Sequence, residues 1–182
     1  MKLLLHACCA PCSAECAKAL RGEQIEPELF WFNPNIHPSS EYEKRKECLL
    51  VMTREDKLRL IIHDEYNMRK FISGAPLIER CAYCYRLRLE KTAKIASETG
   101  YDAFSTSLLI SPYQNHELLK KTAEECAALF NIEFLYRDFR THYREGQKNA
   151  RERGFYMQKY CGCVFSQYEK GDREPRTREQ NL

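Results

Sequence analysis

The chain has 182 residues, 43% of them hydrophobic and 30% charged, with a formal net charge of +3. That balance belongs to one globular domain able to bury a core without covalent staples, and it excludes a disordered or fibrous chain. No apolar run approaches the roughly 18–20 residues of a membrane-spanning helix, and Met1–His6 stops being apolar too soon for a signal peptide, so a cytoplasmic protein is expected.

Strand and helix signals alternate along the chain. Lys2–His6 reads as a first strand, and Pro11-Cys12-Ser13 opens a helix that closes at Gly22 as a C′ residue. Leu29–Phe32 is a second strand, ended by Asn33-Pro34-Asn35. Ser40 and Glu43 fit a capping box before a helix reaching about Leu58. Arg59–His63 is a third strand, and a short helix around Met68–Ile72 ends at Gly74. Arg80–Glu98 is helix-forming throughout and stops at Gly100. Asp102–Thr106 is a fourth strand, Asn115 caps a helix to about Phe130, and Ile132–Tyr136 is a fifth strand. Thr141–Arg153 is a last, basic helix stopped by Gly154. Residues 1–168 are read as one domain, and 169–182 as a loose polar tail. The alternation predicts an α/β fold: a single domain with a mostly parallel, doubly wound sheet. In such a sheet ligands sit beyond the carboxyl ends of the strands, which points to the loop Ala7–Cys12.

That loop holds three of ten cysteines. In a reducing compartment such density reads as metal binding or redox chemistry rather than disulfides. The loop has no glycine, so a phosphate-cradling role is disfavoured. A helix N-terminus instead stabilises thiolates, for metal ligation or nucleophilic attack. Six cysteines fall in three tight pairs: Cys8-Cys9, Cys81-x-x-Cys84 and Cys161-Gly162-Cys163. Arg80, Arg86 and Arg88 would moderate the negative charge of a thiolate-rich centre. Cys16, Cys48 and Cys126 are read as core residues. One zinc or one [4Fe–4S] cluster takes four ligands. Six paired cysteines exceed either, with Cys12 as an extra ligand, an acid–base group or a bystander. The surplus can build a second metal site, which Asp64 after the third strand could complete, or serve as redox-active thiols; an exposed loop aspartate or helix-capping group is the other and stronger reading of Asp64. His6 can reach the centre, whereas His37, His63, His116 and His142 show no ligand spacing and read as surface or capping groups.

Two further stretches can carry recognition. Ser105–Asn115 suits a polyhydroxylated ligand or phosphate, and turn and helix-cap chemistry accounts for it equally well. Residues 137–182 carry 11 Lys and Arg against 7 Asp and Glu. There Arg140, Arg144, Lys148, Arg151 and Arg153 interleave with Tyr136, Phe139, Tyr143, Phe155, Tyr156, Tyr160 and Phe165. Cations for phosphates and aromatics for unstacked bases suit RNA, and a solvated helix face beside a core stripe is the other reading.

His6-Ala7-Cys8-Cys9-Ala10-Pro11-Cys12-Ser13, Arg80-Cys81-x-x-Cys84-Tyr85-x-x-Arg88-Leu89, Ser111-Pro112-Tyr113-Gln114 and Tyr160-Cys161-Gly162-Cys163-x-Phe165-Ser166 occur in this order. Together they resemble the cobalamin-independent epoxyqueuosine reductase family, over residues 1 to about 168. The resemblance implies a nucleotide-binding type of α/β fold, like adenine-nucleotide hydrolases and PP-loop proteins but without the phosphate loop. It implies reduction of the epoxide of epoxyqueuosine to an alkene, at the wobble position of tRNA with a GUN anticodon. It further implies a [4Fe–4S] cluster and an adjacent iron ion on Cys8, Cys9, Cys81, Cys84, Cys161 and Cys163. Electrons would come from a ferredoxin or flavodoxin, and Cys12, Tyr113 or Asp64 would give protons. Two other classes remain at this stage. A zinc-stabilised RNA-binding module would contain zinc and no sulfide, and a tRNA-thiolating enzyme of similar fold would bind ATP.

Overall fold

The computed structural model describes residues 1–76 and 79–171. Five parallel strands form one sheet: β1 (Leu3–His6), β2 (Pro27–Trp31), β3 (Leu60–Ile62), β4 (Ala103–Thr106) and β5 (Glu133–Phe134), in the order β3-β2-β1-β4-β5. β1 is central, with Leu5 beside Leu29 of β2 and Ser105 of β4. Leu3, Leu4, Leu5, Phe104 and Trp31 are wholly buried, as expected of strands covered on both faces. Among the described residues seven α-helices connect and cover them: α1 (Ala10–Gly22), α2 (Ser39–Glu55), α3 (Met68–Gly74), α4 (Arg80–Glu98), α5 (His116–Phe130), α6 (Tyr143–Glu152) and α7 (Val164–Gly171). Right-handed crossovers put α1 and α2 on one face and α4 and α5 on the other, and each pair packs together, with α6 against α1. The winding reverses between β1 and β4. Ligand-binding crevices form at such a point, so the loops after β1 and β4 flank the natural site.

Local signals explain several boundaries. Asn115 caps α5 through its side chain, which accepts from the Leu118 N–H. Gly100, at φ +75°, ends α4, and the Tyr101 N–H reaches back to the Ala96 carbonyl. Other expectations need correction. Gly22 is the last helical residue of α1, and the left-handed turn falls on Gln24. Ser40 and Glu43 form no capping box: Pro38 precedes α2, its carbonyl takes the Glu41 and Tyr42 N–H groups, and Glu43 pairs with Lys46. Ile61 and Ile62 are exposed because β3 is an edge strand. The predicted basic helix divides into a 3₁₀ turn over Phe139–His142 followed by α6. α7 was not foreseen, and it carries the chain past Glu169 to Gly171. The rest of the expected loose tail lies outside the described residues. No helix among the described residues is long and apolar enough to cross a membrane.

Candidate metal centre

The loop after β1 packs three sulfurs together. Cys9, with extended backbone, immediately precedes α1, Pro11 preorganises its first turn, and Cys12 lies in that turn. The Sγ atoms of Cys8, Cys9 and Cys12 all lie within 4.8 Å of one another. Ser107, just beyond β4, accepts from the Cys8 N–H at 3.0 Å and places its hydroxyl 3.2 Å from Cys8 Sγ. Gln158 Nε2 donates to Cys9 Sγ at 3.0 Å. Hydrogen bonds from Cys12 and then Cys9 hold the Cys8 thiol well below its ordinary pKa, and the hydrogen bonds Cys12 makes to Cys8 and Cys9, with burial, raise Cys12 well above its own.

Four more cysteines lie near one another across α4 and the segment before α7, Cys84 and Cys163 in one buried cluster and Cys81, Cys161 and Cys163 on one cleft, without the close sulfur packing of the first three. Cys81 and Cys84 lie in the first turn of α4, one exposed and one buried. Cys161 is exposed, and Cys163, buried, stands at the start of α7, where its Sγ accepts from the Ser166 N–H at 3.4 Å. Burial and then the charge of Cys161 raise Cys81, while burial pushes Cys84 up to about 12 against the pull of Arg88. With α1, three helix N-termini now face thiols, which favours their ionised, metal-binding form.

Sequence spacing gave no hint of what holds the second group together. Arg45 of α2 donates to the carbonyls of Tyr160 (2.9 Å) and Cys161 (3.1 Å), and its Nε sits 2.7 Å from Glu41. The His37 N–H donates to the Gly162 carbonyl at 2.8 Å. Gly162 has φ +132°, and a Cβ there would come within 3.2 Å of Arg45 and Ile36. Glu41 and Arg45 look like an ordinary surface i,i+4 pair, so no sequence signal marks them.

Both thiol groups open on one cleft of about 1020 Å³, lined by Cys8, Cys12, Cys81, Cys161 and Cys163, with Tyr85, Tyr113, Tyr143 and Gln114. Cys9 and Cys84 sit behind its wall. Tyr113, 82% exposed, projects at the rim against the Tyr143 ring, 5.9 Å away. Asp64 stands apart: it follows the edge strand β3, two strands from β1, and it accepts from Tyr42 and pairs with Lys46.

His6 is wholly buried, with its ring nitrogens on Thr106 (3.0 Å) and the Phe32 carbonyl (3.2 Å), and burial lowers it to about 4. It ties β1 to its neighbours. His37 and His116 are buried rather than at the surface. Cys16 and Cys126 are fully buried, while Cys48 is half-buried and accepts the Tyr156 N–H.

The basic, aromatic stretch serves structure more than expected. Arg153 pairs with Glu55 and Asp56, and Arg140 with Asp138. Phe139 and Phe155 are core residues, and the Tyr156 and Tyr160 hydroxyls bond Glu41 and the His37 carbonyl. Tyr143, Lys159 and Tyr160 remain on the cleft. In Ser105–Asn115, turn chemistry uses the hydroxyls of Thr106 and Ser111.

Residues 3–169 match the family described as epoxyqueuosine reductase QueH. The chain belongs to that family. Among the QueH relatives, the one from Dehalococcoides mccartyi is 37% identical over 93% of this chain and 94% of its own length. That from Thermotoga maritima is 33% identical over 94% and 93%. A solved structure, a predicted subunit of tRNA methyltransferase from Methanocaldococcus jannaschii, superposes with a TM-score of 0.54 at 15% identity, covering 82% of this chain and 75% of that one. That likeness is one of fold. QueH membership and the thiol-lined cleft agree in assigning this α/β chain to the oxidoreductases.

Proposed function

We propose that this chain reduces the epoxide of epoxyqueuosine, at the wobble position of a tRNA with a GUN anticodon, to the alkene of queuosine. Both C–O bonds of the epoxide break and a C=C bond forms. Two electrons and two protons enter, and the oxygen leaves as water. The observation that carries this reading is one cleft lined by five cysteines, Cys8, Cys12, Cys81, Cys161 and Cys163, at the switch point of a QueH-family sheet.

The donor set fits soft metal centres, because thiolates select iron–sulfur clusters and zinc over hard cations. Cys81, Cys84, Cys161 and Cys163 would hold a [4Fe–4S] cluster, and Cys8 and Cys9, with Cys12 beside them, an adjacent iron. When bound, such groups supply single electrons and a Lewis acid for the epoxide oxygen. The chain's own residues do the rest. Arg45 and Gly162 present the Cys161–Cys163 turn to α4. The Cys12 thiol, kept protonated by Cys8, and the Tyr113 hydroxyl at the rim hold protons next to the cleft. Asp64 keeps its place as a candidate only if the cleft rearranges, since it is bound to Tyr42 and Lys46. Tyr113 and Tyr143 offer ring faces for an unstacked anticodon base. A small cytoplasmic ferredoxin or flavodoxin would deliver the electrons.

The test is direct. Anaerobic protein is incubated with epoxyqueuosine-containing tRNA and a chemical or flavodoxin reductant, without cobalamin, and the nucleosides are digested and weighed. Conversion to queuosine is expected. No conversion by iron-loaded protein overturns the proposal, and ATP-dependent sulfur incorporation would replace it with thiolation.

A further inference from the structure

Arg88 poses an electrostatic problem. It lies on the inner side of α4, 2% exposed, a place where a cation pays several kcal/mol unless it is compensated. Among the described residues no carboxylate pairs with it: its Nε donates to the Cys84 carbonyl at 3.1 Å and its Nη2 to Cys84 Sγ at 3.2 Å. The one side chain it bonds among the described residues is the Cys84 thiol, in the same first stretch of α4 as Cys81. A guanidinium stays protonated at any physiological pH, and that partner is a sulfur that carries the opposite charge once a metal holds it as thiolate.

We propose that Arg88 is the buried counter-charge of the Cys84 thiolate, a positioning residue that fixes this sulfur and holds the reduction potential of the bound metal centre above the value set by thiolates alone. Net charge and hydrogen bonds to sulfur are two of the levers that set such potentials. A fixed positive charge favours the reduced, more negative state. The inference rests on the reading above that Cys84 ligates iron.

The experiment compares anaerobically loaded wild type, Arg88→Lys and Arg88→Met by iron and sulfide content and by an EPR-monitored redox titration. The expected order is wild type highest, Lys intermediate because its point charge lacks the planar fork, and Met most negative. Metal-free Arg88→Met should match or exceed the wild type in urea resistance, since it replaces an uncompensated buried cation with an apolar chain. A folded Met variant that loses iron while Lys retains it also supports the inference. Full iron loading with an unchanged potential in the Met variant overturns it, as does equal loss of iron in both variants. Should Met fail to fold, Lys decides: a negative shift at full loading supports the inference and an unchanged potential overturns it. A wild type that holds no iron overturns the reading of Cys84 as an iron ligand, and this inference with it.

Discussion

Replacing Arg45 with Met should loosen the turn that brings Cys161 and Cys163 to the cleft. The Arg45 and Glu41 side chains are only 3% and 8% exposed, with Nε 2.7 Å from Oε1. Removing one partner of such a pair leaves a buried charge and costs about 3–5 kcal/mol. The Tyr160 and Cys161 carbonyls also lose their charged donor, and each such bond is worth about 1.5–3 kcal/mol. These contributions overlap, because one guanidinium makes all of them, so the expected loss is about 4 kcal/mol. Urea unfolding of metal-free wild type, Arg45→Met, Glu41→Gln and the double variant gives the loss and the coupling in one cycle. The double variant should recover at least ~1 kcal/mol of the Arg45→Met loss, because a neutral Gln at 41 no longer needs a cation. A loss under ~1 kcal/mol, or a coupling near zero, would refute the claim that this pair anchors the cysteine turn.

Three other outcomes follow from single residues. Gly162→Ala forces a β-carbon into a backbone region nearly reserved for glycine, 3.2 Å from Arg45 and Ile36; it should lose ~1–3 kcal/mol in urea unfolding and iron per chain with it. An unchanged iron content would sink that view. His37 is buried and lowered from 6.5 to about 4, mainly by burial. Between those values the unfolded chain binds the proton and the native chain does not, so acidification from pH 6.5 to 4 removes about 3 kcal/mol of stability. In His37→Gln that portion of the pH dependence should vanish, and a profile identical to the wild type would contradict it. Tyr113→Phe removes the hydroxyl of a residue that is 82% exposed; turnover should fall ~10²-fold with an unchanged unfolding midpoint. Wild-type turnover would leave Cys12 as the proton-holding group.

The alternation of apolar runs with Gly100 and Asn115 made the α/β class legible, since those residues act through local φ and capping chemistry. Gly22 and the Ser40/Glu43 pair misled because the same residue types also fit inside a helix or in an ion pair. Exposed Ile61 and Ile62 show that composition cannot tell an edge strand from a central one. The cysteine pairs pointed to metal chemistry, but that Cys8, Cys9 and Cys12 close to within 4.8 Å of one another while Cys161 and Cys163 come to the same cleft as Cys81 is a tertiary fact that spacing does not encode. Asp64 looked well placed because it follows a strand; strand order, which spacing does not encode, puts β3 at the edge. Arg45 and Glu41 were silent because burial alone distinguishes them from a surface pair.

Iron, acid-labile sulfide and zinc per chain, measured on protein purified without oxygen, test the central claim most directly. A four-iron cluster beside one further iron predicts about five irons and four sulfides, with a reduced-cluster EPR signal after dithionite. About one zinc without sulfide would contradict it and leave the thiols a structural role.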